Sequence, residues 1–342
     1  MTETKLHIDA LIFSIDDVLV DASLSYREVV RQTVQFYLEQ AVGLPSSDQA
    51  LLTLEEVTLL QKVGNFADFW ELAAALIMYF IESLPPVPIP TFPSKVHVPA
   101  IIAYLQMARG GLQISMDTLR EKKDIAHLAE QIAAHGGGLN GAHEALPKQN
   151  RHLLVDVGNI TKTNLVGRIF QELYLGADLF EQIYDQPAVT VQNRPGYINQ
   201  EALLIDYDML VQISQKVRLG IVSSRPRLEV NYALKARQVD SYFQAIVAFD
   251  DVREANGKTI PDPWPLLEAA RRIHPTPARS AYIGSNPGDV QAAKAANDIV
   301  PFTSIACLAG AHNKEAMRLE FEKLKANIIL GHPNHLKSLI LD

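Results

Sequence analysis

The chain has 342 residues, enough for two domains, and its 48% hydrophobic and 20% charged residues are typical of a globular protein. A net charge of −8 argues against nucleic acid as a partner, and one cysteine, Cys307, excludes an internal disulfide and a cysteine-rich metal site. The longest apolar stretch, residues 72–81, is about half of the roughly 20 residues that a membrane span needs. No signal-peptide pattern precedes the first strand, so we expect a cytoplasmic protein.

The first half of the chain has mostly helical patterns. A strand is predicted at residues 8–13, and a helix follows at 25–39, where apolar residues recur at helical spacing. Further helices are predicted at 54–63, 66–82, 97–109, 115–135 and 161–174. Two stretches interrupt them: the prolines of 85–93 cannot lie inside a helix, and the glycines of 135–143 indicate a flexible loop.

After residue 200 short apolar runs alternate with amphipathic helices. Strands are predicted at 217–222, 244–248, 279–284, 299–305 and 326–330, and helices at 200–215, 226–238, 263–273, 288–296, 312–324 and 333–341. This alternation predicts an α/β fold with a Rossmann-like parallel sheet covered on both faces. We expect the first strand to join that sheet. The predicted domains are therefore an α/β core of residues 1–21 and 200–342, and an inserted helical domain of residues 22–199.

Four short motifs follow predicted strands of the core. The first strand leads into Ser14-Ile15-Asp16-Asp17, a tight acidic turn. The second motif, Ser223-Ser224-Arg225-Pro226, precedes a helix whose N-terminus could face an anion. The third motif is the loop 257–263, which contains Lys258 and two prolines. The fourth is Gly284-Ser285-Asn286-Pro287-Gly288-Asp289.

These motifs, in this order, resemble those of the haloacid dehalogenase (HAD) superfamily, in particular the capped phosphatases of subfamily IA. The resemblance is strongest at residues 8–38 and 217–297. It implies a helical cap inserted after the first strand, and phosphoryl transfer assisted by Mg²⁺. In that family the first motif supplies an aspartate nucleophile and an aspartate general acid, at the positions of Ser14 and Asp16. The resemblance further assigns phosphate binding to Ser223, Ser224, Arg225 and Lys258, and metal binding to Asp289, Asp16 and Ser285.

Two family carboxylates are replaced by serine, at Ser14 and Ser285. A serine hydroxyl is a poor nucleophile without an adjacent base, and Mg²⁺ is usually held by one or two carboxylates. We therefore expect weak or absent Mg²⁺ binding and an impaired catalytic site. Two roles remain open for each of three residues: Ser14 as a phosphate contact or a filler, Asp16 as a general acid or a cap for its turn, and Lys258 as a phosphate ligand or a solvated side chain.

Three functions are compatible with these motifs. The first is a pseudoenzyme that binds a phosphorylated or anionic small molecule, or that serves as a regulatory or interaction module. The second is an active Mg²⁺-dependent phosphatase with atypical motifs. The third is a structural protein whose cap binds a protein partner. Neither nucleic acid nor a membrane is expected as a partner.

Overall fold

A computed structural model describes residues 5–66, 69–191, 195–274, 279–311 and 313–341. Two compact units are present: Met1–Ser23 with Glu201–Asp342, here called the α/β unit, and Leu24–Gln200, here called the helical unit. Residues 67–68 of the predicted helix 66–82, and residue 312 of the predicted helix 312–324, lie outside the described residues.

Strands are confined to the α/β unit within the described part of the chain. They are β1 (Ala10–Ser14), β2 (Val20–Asp21), β3 (Ala202–Leu203), β4 (Arg218–Val222), β5 (Phe243–Val247), β6 (Ser280–Gly284), β7 (Phe302–Cys307) and β8 (Ile328–Leu330). Six of them form one parallel sheet in the order β5-β4-β1-β6-β7-β8, and β2 pairs antiparallel with β3. The predicted α/β class, with a parallel sheet that includes the first strand, is confirmed, and the structure places that strand between β4 and β6.

Both faces of the sheet are buried, as the short apolar runs predict. Successive residues of a strand point to opposite faces. Leu11 and Phe13 of β1 accordingly pack into one hydrophobic cluster, whereas Ala10 and Ile12 pack into another. This two-sided burial favours a parallel sheet flanked by helices.

The helical unit is built from short helices joined by turns. They are α1 (Ser23–Phe36), which continues as a π-helix (Tyr37–Val42), α2 (Leu54–Val63), α3 (Phe69–Glu82), α4 (Val98–Arg109), α5 (Met116–Lys122), α6 (Ile125–Ala134), α7 (Gly138–Ala145), α8 (Leu165–Leu175) and α9 (Ala177–Tyr184). Two 3₁₀ turns, Arg151–Leu153 and Tyr197–Gln200, complete it. No helix among the described residues is long and apolar enough to cross a bilayer.

The helices of the α/β unit follow the strands. They are α10 (Tyr207–Ser214), α11 (Arg227–Ala236), α12 (Phe249–Glu254), α13 (Trp264–Ile273), α14 (Pro287–Asn297), α15 (Lys314–Lys323) and α16 (Leu336–Ile340). Helices α9 and α12 had no counterpart in the sequence analysis. Short 3₁₀ turns at Asp240–Tyr242 and Pro333–His335 precede β5 and α16.

Three sequence predictions were wrong in detail. The predicted loop 135–143 contains the start of α7, because its glycines permit close packing: a Cβ on Gly141 would lie 2.7 Å from the Ile132 carbonyl oxygen of α6. The predicted helix 115–135 is split, since the Asp124 side chain accepts the His127 N–H and starts a new helix. The predicted helix 200–215 is extended at Ala202–Leu203 and becomes helical only at α10.

A buried ion pair in α8 stabilises the C-terminal part of the helical unit. Arg168 Nε donates to Glu172 Oε1 at 2.6 Å, and both side chains are almost fully buried. Glu172 also accepts backbone N–H groups from the segment that follows α9, at Val189, Thr190 and Val191. One carboxylate therefore joins Arg168, one turn earlier in α8, to the backbone of residues 189–191.

We predict that Glu172→Ala lowers the free energy of unfolding by about 3–5 kcal/mol, because it leaves the buried guanidinium and several N–H groups without their acceptor. Urea unfolding measures this loss. The control is Glu181→Ala on the exposed surface of α9, which is expected to change stability by less than about 0.5 kcal/mol. Equal effects of the two variants would contradict the assignment.

Candidate functional site

Three serines lie at the carboxyl edge of the parallel sheet. Ser14 is the last residue of β1, Ser223 directly follows β4, and Ser285 directly follows β6. Since β1 pairs with β4 on one side and with β6 on the other, these residues end adjacent strands. The carboxyl edge is where open α/β sheets bind their ligands, so the structure brings three of the predicted site residues to a suitable place.

Ser14 is half-buried beside the side chain of Tyr282. Burial raises the pKa of Tyr282 well above its usual range, the nearby Asp289 carboxylate raises it further, and a hydrogen bond with the Ser14 side chain opposes this rise. The Ser14 hydroxyl therefore contacts the neutral phenol of Tyr282. A phenol held in its protonated form is not a base that could activate the serine hydroxyl.

Asp16 is paired with Arg225, whose side chain is only 2% exposed. Arg225 Nε donates to Asp16 Oδ1 at 3.0 Å, and Nη2 donates to the same oxygen. The guanidinium also donates two hydrogen bonds to Glu201, from Nη1 to Oε2 at 3.1 Å and from Nη2 to Oε1 at 2.9 Å. The group that we predicted to bind phosphate thus already neutralises two carboxylates of the chain itself.

Glu201 completes this network from the segment that precedes β3. Its side chain is fully buried. Arg237 also lies beside it, with Nη2 3.6 Å from Glu201 Oε2 and in contact with the Glu201 carbonyl oxygen. Two carboxylates are thereby matched by two guanidinium groups. We call Asp16, Arg225, Glu201 and Arg237 the arginine clamp. Sequence reasoning missed Glu201 and Arg237, because neither lies in a family motif.

Asp289 is buried at the first turn of α14. Its Oδ2 accepts the N–H groups of Ser285 and Asn286, each at 2.9 Å, and its Oδ1 accepts the Tyr282 hydroxyl at 3.0 Å. Burial raises the pKa of Asp289, and these hydrogen bonds oppose the rise. The carboxyl group therefore serves as a cap for the helix.

The residues predicted to bind Mg²⁺ are hydrogen-bonded to other groups of the protein. Ser285 Oγ donates to the backbone carbonyl of Asp16 at 3.2 Å, the Asp16 carboxylate faces Arg225, and Asp289 has three neutral donors. Mg²⁺ binds in a near-octahedral shell of oxygens and is usually held by one or two carboxylates. Over the ranges that the structure describes, no group of three or more His, Cys, Asp or Glu residues could hold a metal. The residues present do not fit Mg²⁺ in this arrangement.

Lys258 lies in the loop 257–263 and its side chain is exposed. The loop approaches the first turn of α14, since a Cβ on Gly288 would meet the Ile260 side chain at 3.3 Å. This contact brings the loop to the edge of the sheet at which β6 ends. Within the described ranges, Lys258 takes part in no ion pair or hydrogen bond.

The second motif forms a tight turn. Ser223 Oγ accepts the Arg225 N–H at 3.1 Å, and Ser224 is exposed. The first amide of α11, that of Arg227, donates to Asp250 Oδ2 at 2.6 Å. The helix N-terminus that we predicted to face an anion therefore has an internal carboxylate on its first N–H group.

Known sequences match part of this chain. The model of a family described as haloacid dehalogenase-like hydrolase matches residues 207–300. The pyrophosphatase PpaX of Anoxybacillus flavithermus is 30% identical over 103 residues, which are 29% of this chain and 46% of that protein. The phosphoglycolate phosphatase of Salmonella paratyphi A is 36% identical over 78 residues, which are 23% of this chain and 29% of that protein. The match thus spans less than half of the length of either relative.

Solved structures share the fold over nearly the whole chain. A crystal structure determined by the Northeast Structural Genomics Consortium has a TM-score of 0.65 at 18% identity, covering 96% of this chain and 97% of that one. The phosphatase Tt82 from Thermococcus thioreducens has a TM-score of 0.51 at 20% identity, and the match covers 92% of this chain and 99% of that one. At such identities the likeness concerns the fold.

We predict that Tyr282→Phe destabilises the protein by about 1–3 kcal/mol, because the buried Asp289 carboxyl loses one of its donors. Thermal or urea unfolding measures the loss. Tyr242→Phe is the matched control: its hydroxyl shares a 3.0 Å bond with Tyr207 at the surface, where water replaces the partner. A Tyr282→Phe protein as stable as the control would show that the capping carboxyl does not depend on this phenol.

Proposed function

We propose that this chain, whose residues 207–300 match the family described as haloacid dehalogenase-like hydrolase, binds a phosphorylated small molecule at the carboxyl edge of its sheet without hydrolysing it. The observation that carries the proposal is the charge of this edge. Serines stand where the family has carboxylates, the Asp16 charge is matched by Arg225, and Lys258 is an exposed cation without an internal partner among the described residues.

The loss of hydrolysis follows from the nucleophile. A covalent aspartyl intermediate requires a carboxylate in line with phosphorus, and the Ser14 hydroxyl has a protonated phenol beside it instead of a base. Removing the nucleophile of a catalytic unit typically costs on the order of 10⁴ to 10⁶ in rate, which is roughly 5–8 kcal/mol of barrier. Asp16 has no leaving group to protonate in such a site, and its carboxylate stabilises the turn through Arg225.

The same replacements favour binding. A phosphate dianion is repelled by carboxylates, so the change to Ser14 and Ser285 removes two repulsive charges from the edge. The hydroxyls of Ser14, Ser223 and Ser224 are neutral donors, and Lys258 supplies a charge-assisted hydrogen bond. The phosphorylated class of ligand is suggested by relatives that are named as phosphatases. The domain division predicted from the sequence, a core of 1–21 and 200–342 and a cap of 22–199, extends the proposal: the cap would select the ligand.

We predict that the natural protein does not hydrolyse p-nitrophenyl phosphate at an enzyme-like rate with Mg²⁺, whereas Ser14→Asp combined with Ser285→Asp gains metal-dependent turnover. Both aspartates are introduced because the family resemblance places carboxylates at both positions, one as the nucleophile and one as a ligand of Mg²⁺. Release of p-nitrophenol is the measurement, and Ser14→Asn with Ser285→Asn is the neutral control. Metal-dependent turnover by the natural protein would contradict the proposal and favour the atypical phosphatase.

We predict that Lys258→Gln weakens the binding of inorganic phosphate about tenfold or more, since a hydrogen bond to a charged group contributes about 1.5–3 kcal/mol. Isothermal titration calorimetry measures the affinity. The matched control is Lys216→Gln, an exposed lysine just before β4, at the amino edge of the sheet. If both variants bind as the natural protein does, Lys258 is a solvated side chain. If the natural protein binds no phosphate, the structural role is favoured.

A further inference from the structure

The arginine clamp offers more than charge compensation, because one guanidinium joins two distant segments of the α/β unit. Asp16 follows β1, whereas Glu201 precedes β3, and Arg225 bonds both side chains at once. Glu201 is fully buried and Arg225 is nearly so, while the Asp16 side chain is 32% exposed. Glu201 and Arg225 are therefore the fixed part of the clamp, and the position of the partly exposed Asp16 depends on them.

The geometry requires an arginine. Its planar fork presents two edges, and here Nε and Nη2 face Asp16 while Nη1 and Nη2 face Glu201. A lysine would supply a similar charge but could not hold both carboxylates in fixed directions. Arg237 adds a second cation near Glu201, with its Nη2 3.6 Å from Oε2, and so adds to the compensation of the buried carboxylate.

The clamp also reaches the strand ends that carry the candidate ligand contacts. The Asp16 backbone carbonyl accepts the Ser285 hydroxyl, and the Arg225 N–H bonds Ser223 Oγ. Asp16 therefore links the turn after β1 to the turn after β6. Arg225 links the turn after β1 to the turn after β4. A shift of these residues would therefore move the hydroxyl groups of Ser285 and Ser223, at the ends of β6 and β4.

We propose that Arg225 and Glu201 are positioning residues that set the affinity of this edge for a phosphate group, and that Arg225 is not itself a phosphate ligand. This inference rests on the proposed function. It assigns a role in the site to Glu201, a residue outside every motif, and it reverses the role that the motif resemblance gives to Arg225.

The two roles of Arg225 predict opposite effects of Glu201→Gln. If Arg225 were a direct ligand held back by Glu201, removing that negative charge would free the guanidinium and strengthen phosphate binding. If Arg225 positions the turns, the variant loosens Asp16 and weakens phosphate binding, by roughly tenfold, within the range of coupling between buried partners. Arg225→Lys is expected to weaken it to a similar extent, and the double variant little further, because both changes break the same clamp.

The test is calorimetric titration of inorganic phosphate into the full-length natural protein and these variants. Glu172→Gln is the matched control: it alters an equally buried glutamate–arginine pair in the helical unit, and it is expected to lower stability without changing phosphate affinity. Glu201→Asp, which keeps the charge, is a second variant for the case in which Glu201→Gln does not fold. An affinity that rises in Glu201→Gln, or that survives in Arg225→Lys, overturns the inference.

Failure of the proposed function is recognised separately. If the natural protein binds no phosphate, the clamp is tested through the melting temperatures of Asp16→Asn, Glu201→Gln and the double variant. Non-additive shifts support coupling through Arg225. Additive shifts contradict it, whatever the ligand of the site is.

Discussion

A buried guanidinium must be neutralised, and the compensation of Arg225 fixes much of the candidate site. Removing an ion from water costs several kcal/mol even after relaxation, so a side chain that is 2% exposed holds its partners firmly. Arg225 takes Glu201 on its buried side and Asp16 on its open side. The turn after β1 therefore has one well-defined position, and the negative charge of Asp16 is cancelled inside the protein. The proposed anion site depends on this neutralisation of Asp16.

Internal carboxylates compensate other positive features of this edge as well. Asp250 accepts the first amide of α11, and Asp289 accepts the amides at the start of α14. These are places where helix N-termini favour anions. Because both termini and the clamp are satisfied from within, the proposed ligand would be bound by the exposed Lys258 and by serine hydroxyls.

Much of this architecture is predictable from local sequence, and the remainder depends on tertiary pairing. Short apolar runs followed by polar turns identify the strands, and a parallel sheet necessarily gathers Ser14, Ser223 and Ser285 at one edge. The clamp has no local signal, since Asp16 and Arg225 are 209 positions apart and Glu201 lies where helical periodicity was expected. Helix α7 was missed because glycine usually marks a loop, whereas Gly141 is needed there for contact with α6.

The most direct test of the account is phosphate binding with and without metal. Isothermal titration of inorganic phosphate into the natural protein would be performed first in EDTA and then in excess Mg²⁺. The account predicts saturable binding in EDTA with an affinity that Mg²⁺ leaves unchanged, because the predicted metal ligands Asp16, Ser285 and Asp289 are bonded within the protein. Binding that appears only with Mg²⁺ would contradict it, and would show that these residues rearrange to form a metal site.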